Sequence, residues 1–159
     1  MTLRRSAGVA EHEAAGSTAL TAFSLPGIQG NEREAMDRVA AALADLGLPE
    51  DRLERLKTAV SEAAMNAIEY GSQGNEEVPF EVDVTVTPTD VVVRVTDRAM
   101  SGAVPTDPET PDIERKLVGE QKPRGWGLFL IEAMVDEVAV EQTENGQTVV
   151  LTLNLEGDA

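Results

Sequence analysis

The stretch from Phe80 to Val95 constrains this chain more than any other. Phe80, Val82, Val84 and Val86 alternate with polar residues, and Val91-Val92-Val93-Arg94-Val95 follows after only Pro88-Thr89-Asp90. Successive side chains of a strand point to opposite faces, so alternation of this kind buries one face and leaves the other polar. A connection that short joins antiparallel neighbours, because parallel strands need a long crossover. The pattern returns near the C-terminus, where Val138-Ala139-Val140 and Thr148–Leu155 flank Glu144-Asn145-Gly146. A looser alternation of Ala19, Thr21, Phe23 and Leu25, within Ser17–Leu25, suits an edge strand ended by Pro26 and Gly27.

An antiparallel sheet with one apolar face needs a cover, and three segments have helical spacing. Between Asn31 and Leu46 the apolar positions are Ala35, Met36, Val39, Ala40, Leu43 and Leu46, with Asn31 placed to cap the start and Gly47 to stop the helix. A second helix is expected from Pro49 to Tyr70, with Leu53, Leu56, Val60, Ala63, Ala64, Ala67 and Ile68 as its buried stripe, before a turn over Gly71 through Asn75. A third runs from Trp126 to Val135. The order strand, helix, helix, strand, strand, long loop, helix, strand, strand predicts an α+β fold: a two-layer sandwich with a mostly antiparallel sheet and helices on one face.

The 159 residues suffice for one domain, expected over 17–157, behind a flexible tail over 1–16. Aromatic residues make up only 3%, so Ala, Val, Leu and Ile must build the core. Cysteine is absent, which excludes disulfides and thiolate metal sites and suits a cytoplasmic setting. No apolar run approaches the ~18 residues of a membrane span, and Arg4 and Arg5 are not followed by the apolar stretch of a secretory signal. The net charge of −16 argues against direct nucleic-acid binding, which needs clustered Lys and Arg, and favours basic partners. Solubility alone would also account for it.

Three features carry possible chemistry. Glu62 and Asn66 are four residues apart on the second helix and share a face. Asp97 ends an apolar strand, where its carboxylate could accept a hydrogen bond from an exocyclic amine. Arg124-Gly125-Trp126-Gly127-Leu128 opens the third helix, where glycines allow close approach and a helix N-terminus aims N–H groups at an anion. Singly, each has an ordinary alternative: surface polar residues, a turn-initiating Asp, and a flexible loop end.

Together and in order, "SEAAMNAIEYG", "VTDRAMSG" and "RGWGLFLIEAMVDEV" resemble the N, G1 and G2 boxes of the GHKL ATPase superfamily. The connection from Met100 to Arg124, with Pro105, Pro108, Pro111 and Pro123 and a short helix expected at 113–118, matches that superfamily's ATP lid. The lead-in segment and "NGQTVVLTLNL" resemble the small anti-sigma-factor serine/threonine kinases, over about residues 18 to 155. His12 is the single histidine and lies in the expected tail, which disfavours a sensor histidine kinase.

The resemblance implies ATP and Mg²⁺ as cofactors. By similarity, Asn66 would ligate Mg²⁺, Glu62 would act on the attacking hydroxyl of a partner, and Asp97 would bind the adenine amine. Gly102 would shape the base pocket, Thr148 would reach adenine through water, and the backbone around Gly125, Trp126, Gly127 and Leu128 would hold phosphates. Arg124, with Lys122, would pair with phosphate charge. The implied partners are a sigma factor, which a homodimer sequesters, and a STAS-domain anti-sigma-factor antagonist, which it phosphorylates. Two variants stay open: a partner-sequestering module without catalysis, and a switch kinase acting on a STAS scaffold protein. One departure bears on the first, since the family often has Asp-x-Gly in its second box and this chain has Ala99.

Overall fold

The computed structural model describes residues 16–72, 77–98, 124–143 and 146–155. Its strands are β1 (Thr18–Pro26), β2 (Pro79–Val86), β3 (Asp90–Asp97), β4 (Glu137–Thr143) and β5 (Gly146–Asn154). The helices are α1 (Asn31–Ala42), α2 (Glu50–Asn66) and α3 (Arg124–Met134), with a 3₁₀ turn at Ala44–Leu46 and a π-helical turn at Ala67–Ser72. The sheet order is β1-β2-β3-β5-β4, and every adjacent pair is antiparallel. The α+β sandwich expected from the alternation is therefore the fold observed.

Register explains the core. Val82 lies opposite Val95 and Val84 opposite Val93, while Val91, Val93 and Val95 lie opposite Leu153, Leu151 and Val149. All of these are buried, as are Phe80 on β2 and Val138 and Val140 on β4. They form one cluster with Ala35, Val39 and Leu43 from the first helical segment and Leu56, Ala59, Val60, Ala63 and Ala64 from α2. The alanine-rich stripe lets α2 lie close to the sheet, which replaces the bulk that aromatic residues would otherwise supply.

β1 is an edge strand, and its register with β2 shifts between Ala19 and Thr21. A bulge of that kind twists an edge and discourages further pairing. The first helix is shorter than its apolar spacing predicts, ending at Ala42 before the 3₁₀ turn. Asn31 is the first helical residue rather than the cap; Gly30 takes the cap position, and Asn31 Nδ2 donates to the Pro26 carbonyl 2.9 Å away.

Gly47 ends the 3₁₀ turn at φ 71°, in the left-handed region. An added Cβ there would meet nothing within 4 Å, so only backbone strain opposes it. Gly47→Ala should therefore cost about 1 kcal/mol, read as a lower urea midpoint with an unchanged slope.

Candidate functional site

α2 carries Glu62 and Asn66 in its C-terminal turns. Asn66 is the last α-helical residue and only 3% exposed, and Glu62 sits one turn earlier, half-buried. Glu62 Oε1 and Asn66 Nδ2 are both buried and find no hydrogen-bond partner among the described residues. A buried polar atom left unsatisfied costs about 1–3 kcal/mol; Ser17 Oγ, Arg52 Nε and Glu141 Oε2 share that condition, but of these residues only Glu62 and Asn66 place two such atoms one helical turn apart. A carboxylate and a carboxamide supply oxygen acceptors and an N–H donor, a set suited to a hydrated cation and an incoming hydroxyl.

The helix does not stop at Asn66. It widens into the π-helical turn Ala67–Ser72, which packs on β2 and β3. The second helix thus runs through Gly71 and Ser72, where a turn was expected from the glycine. π-turns are rare and often occur at functional sites. This one presses Gly71 onto Asp97, such that a Cβ added to Gly71 would lie 2.5 Å from Asp97 Cβ and 2.8 Å from Cγ.

Asp97 is the last residue of β3 and 6% exposed. It shares the parity of Val91, Val93 and Val95, so its side chain lies on the helix side of the sheet. The Glu62–Asn66 turn and the Asp97 side chain are thus linked by the π-helical turn Ala67–Ser72, whose Gly71 lies against Asp97.

Directly opposite Asp97 on β5 is Gln147, which is fully buried and shares the parity of Val149, Leu151 and Leu153. Thr148 belongs to the other face: its hydroxyl lies 2.9 Å from that of Thr96. The structure therefore does not bring Thr148 to the Asp97 side. Gln147 stands there instead, and counting alternate residues back from Leu153 would have found it. The face carrying Thr148 has charges of its own, with Arg94 paired to Asp83 at 3.5 Å and Arg98 paired to Glu81. On that face burial holds the Glu141 carboxyl above its usual range, while Arg94 pulls the other way.

α3 begins at Arg124, so Arg124-Gly125-Trp126-Gly127-Leu128 forms its first turns as the glycine pattern predicted. Arg55 of α2 donates to the Ala133 carbonyl at 3.1 Å, and Arg52 pairs with Asp136 at 3.1 Å. Lower numbers on α2 meet higher numbers on α3, as in an antiparallel pair. At 1.5 Å per residue, α3 then runs back from Ala133 toward the Glu62–Asn66 end of α2, and its N-terminal amides face that way. Ala99, Gly102, Lys122 and the connection with its expected helix at 113–118 lie outside the described residues, as do most of the expected tail and Glu144-Asn145 of the closing turn.

A family model for the histidine kinase-like ATPase domain matches residues 28–153. The anti-sigma F factor of Clostridium novyi is 31% identical over 133 residues, which cover 79% of this chain and 87% of that protein. The anti-sigma F factor of Bacillus subtilis is 30% identical over 132 residues, covering 79% and 85%. Among solved structures, a chain of the SiaB–SiaC complex from Pseudomonas aeruginosa superposes with a TM-score of 0.64 at 14% identity, over 92% of this chain and 96% of that one. The RsbU and RsbW domains of a Mycobacterium tuberculosis protein give 0.59 at 21% identity, over 85% of this chain and 32% of that one. At those identities the two structures speak to the fold alone.

Proposed function

This chain belongs to the histidine kinase-like ATPase domain family, in its anti-sigma-factor branch, and from that premise we propose that it binds ATP with Mg²⁺, holds a sigma factor, and phosphorylates a serine or threonine of a STAS-domain antagonist. The observation that carries the reading is the pair of orphaned polar atoms on Glu62 and Asn66 at the end of α2 that the π-turn ties to Asp97.

Each residue has one task in this reading. Asp97 accepts a hydrogen bond from the adenine amine. The first amides of α3 hold phosphate oxygens, since a helix N-terminus favours anions. Asn66 offers its side-chain oxygen to Mg²⁺. Among the described residues no three acidic or histidine side chains converge, so the ion would take its other ligands from phosphate and water, as Mg²⁺ commonly does. When bound, Mg²⁺ neutralises phosphate charge. Glu62 takes the proton of the partner's hydroxyl as that oxygen bonds to the γ-phosphorus, while the bond from that phosphorus to the ADP oxygen breaks.

The net charge of −16 supports a basic docking surface on the partners. No helix among the described residues is long and apolar enough to cross a membrane, and we place the protein in the cytoplasm, as a homodimer.

The test is calorimetric titration with ATP and ADP, with and without Mg²⁺, on the wild type and on Asp97→Asn. Asp97→Asn keeps one acceptor oxygen but loses the charge, a difference of about 1–2 kcal/mol between a charge-assisted and a neutral hydrogen bond, so it should weaken ATP binding by roughly 5- to 30-fold. A STAS partner incubated with the wild type, ATP and Mg²⁺ should become phosphorylated. Tight partner binding that ignores nucleotide, with no transfer, would replace the kinase reading by the sequestering module that Ala99 suggests.

A further inference from the structure

We infer that Gly71 is the positioning residue for Asp97, and that the absence of a side chain at 71 is a requirement for recognising the adenine base; this rests on the reading of Asp97 as the base contact. Gly71 is not a turn glycine. It lies inside the π-helical turn Ala67–Ser72 and is not among the glycines with positive φ. Its backbone conformation is open to any residue, so the reason for glycine must be space.

The space is filled by one neighbour. The three heavy atoms nearest a Cβ at position 71 all belong to Asp97: Cβ at 2.5 Å, Cγ at 2.8 Å and Oδ1 at 3.2 Å. The first two are closer than any real Cβ contact, and Asp97 Cβ, at the root of the side chain, cannot swing away. A second glycine closes on the same residue from the neighbouring strand. A Cβ on Gly146 would lie 2.0 Å from the Asp97 carbonyl oxygen and 2.8 Å from its carbonyl carbon. Residue 97 is thus held between two bare backbones, Gly71 against its side chain and Gly146 against its main chain.

The consequence is directional. Relieving a 2.5 Å approach to an ordinary contact of 3.4 Å or more moves Asp97 by roughly 1 Å, enough to stretch a hydrogen bond of about 2.9 Å out of range and to turn it from its acceptor direction. The π-turn starts at the residue after Asn66, so its Gly71 contact fixes the Asp97 carboxyl in the same frame as the end of α2. Base and phosphate recognition are thereby held to one spacing.

The experiment is a double-mutant cycle on the full chain, read by calorimetry with ATP and with inosine triphosphate, which lacks the exocyclic amine. Gly71→Ala should weaken ATP binding at least tenfold, leave inosine triphosphate within threefold, and add less than threefold in an Asp97→Asn background. ATP binding that Gly71→Ala leaves unchanged, or that it weakens equally in both backgrounds, overturns the inference. If Asp97→Asn itself leaves ATP binding unchanged, the base-contact reading has failed, and the inference with it. Should Gly71→Ala not fold, Gly71→Ala/Asp97→Gly removes the atoms in conflict. Recovery of a cooperative melting transition in that variant supports the contact, and its absence overturns it.

Discussion

Glu62→Ala is expected to slow phosphoryl transfer to the partner by about 10²–10⁴-fold, the range for loss of a general base. ATP affinity should change by less than about threefold, because the reading gives Glu62 no role in holding nucleotide. The stability of the variant is the discriminating measurement. Glu62 Oε1 is a buried acceptor without a partner among the described residues, and removing an unsatisfied group relieves its desolvation cost. Glu62→Ala should therefore melt no lower than the wild type, even though alanine fills less space. A carboxylate kept for structure would behave oppositely, and lower stability with unaltered transfer would remove the catalytic role. Residues that cost stability and serve chemistry are the expected signature of an active site.

The strands were legible because alternation is a direct image of burial. Phe80, Val82 and Val84 face the helices as their spacing requires, and the same parity carries Asp97 to the helix side. Glu62 and Asn66 were legible as a pair because four residues bring side chains to one helix face. The π-turn was not, since Gly71 followed by polar residues reads as a helix stop, and only the closeness of Asp97 gives the glycine another purpose. Asn31 has the composition of a cap, yet Gly30 takes that position while the Asn31 amide bonds Pro26. Local composition does not report that tertiary choice. Thr148 and Gln147 show how finely parity divides a strand. Two adjacent polar residues near a strand end were separated only by parity, and the expected strand began at Thr148, beyond the residue that faces Asp97.

The second large effect lies at the other end of α2, where Arg52 is 6% exposed. Its guanidinium donates to Asp136 Oδ2 at 3.1 Å and to the Asn154 carbonyl. The same carboxylate oxygen accepts the Asn154 N–H at 2.7 Å. One arginine therefore joins the first turn of α2 to the α3–β4 junction and to the end of β5. Removing one member of a buried pair leaves the other charge and the carbonyl uncompensated, at about 3–5 kcal/mol. The Asp136 side chain is 34% exposed, and solvent would rehydrate it in part, which puts Arg52→Ala near the lower end, at about 3 kcal/mol. The variant should melt roughly 6–12 °C lower. Arg52→Met separates charge from packing, because it keeps the apolar stem; if it loses as much as alanine, the polar network is the source, and if it restores most of the loss, packing is. Arg52 and Glu62 sit on one rigid helix but act on different properties. At temperatures where it remains folded, Arg52→Ala should bind ATP as the wild type does, and a change there would mean that the α2–α3 contact also sets the phosphate end of the site.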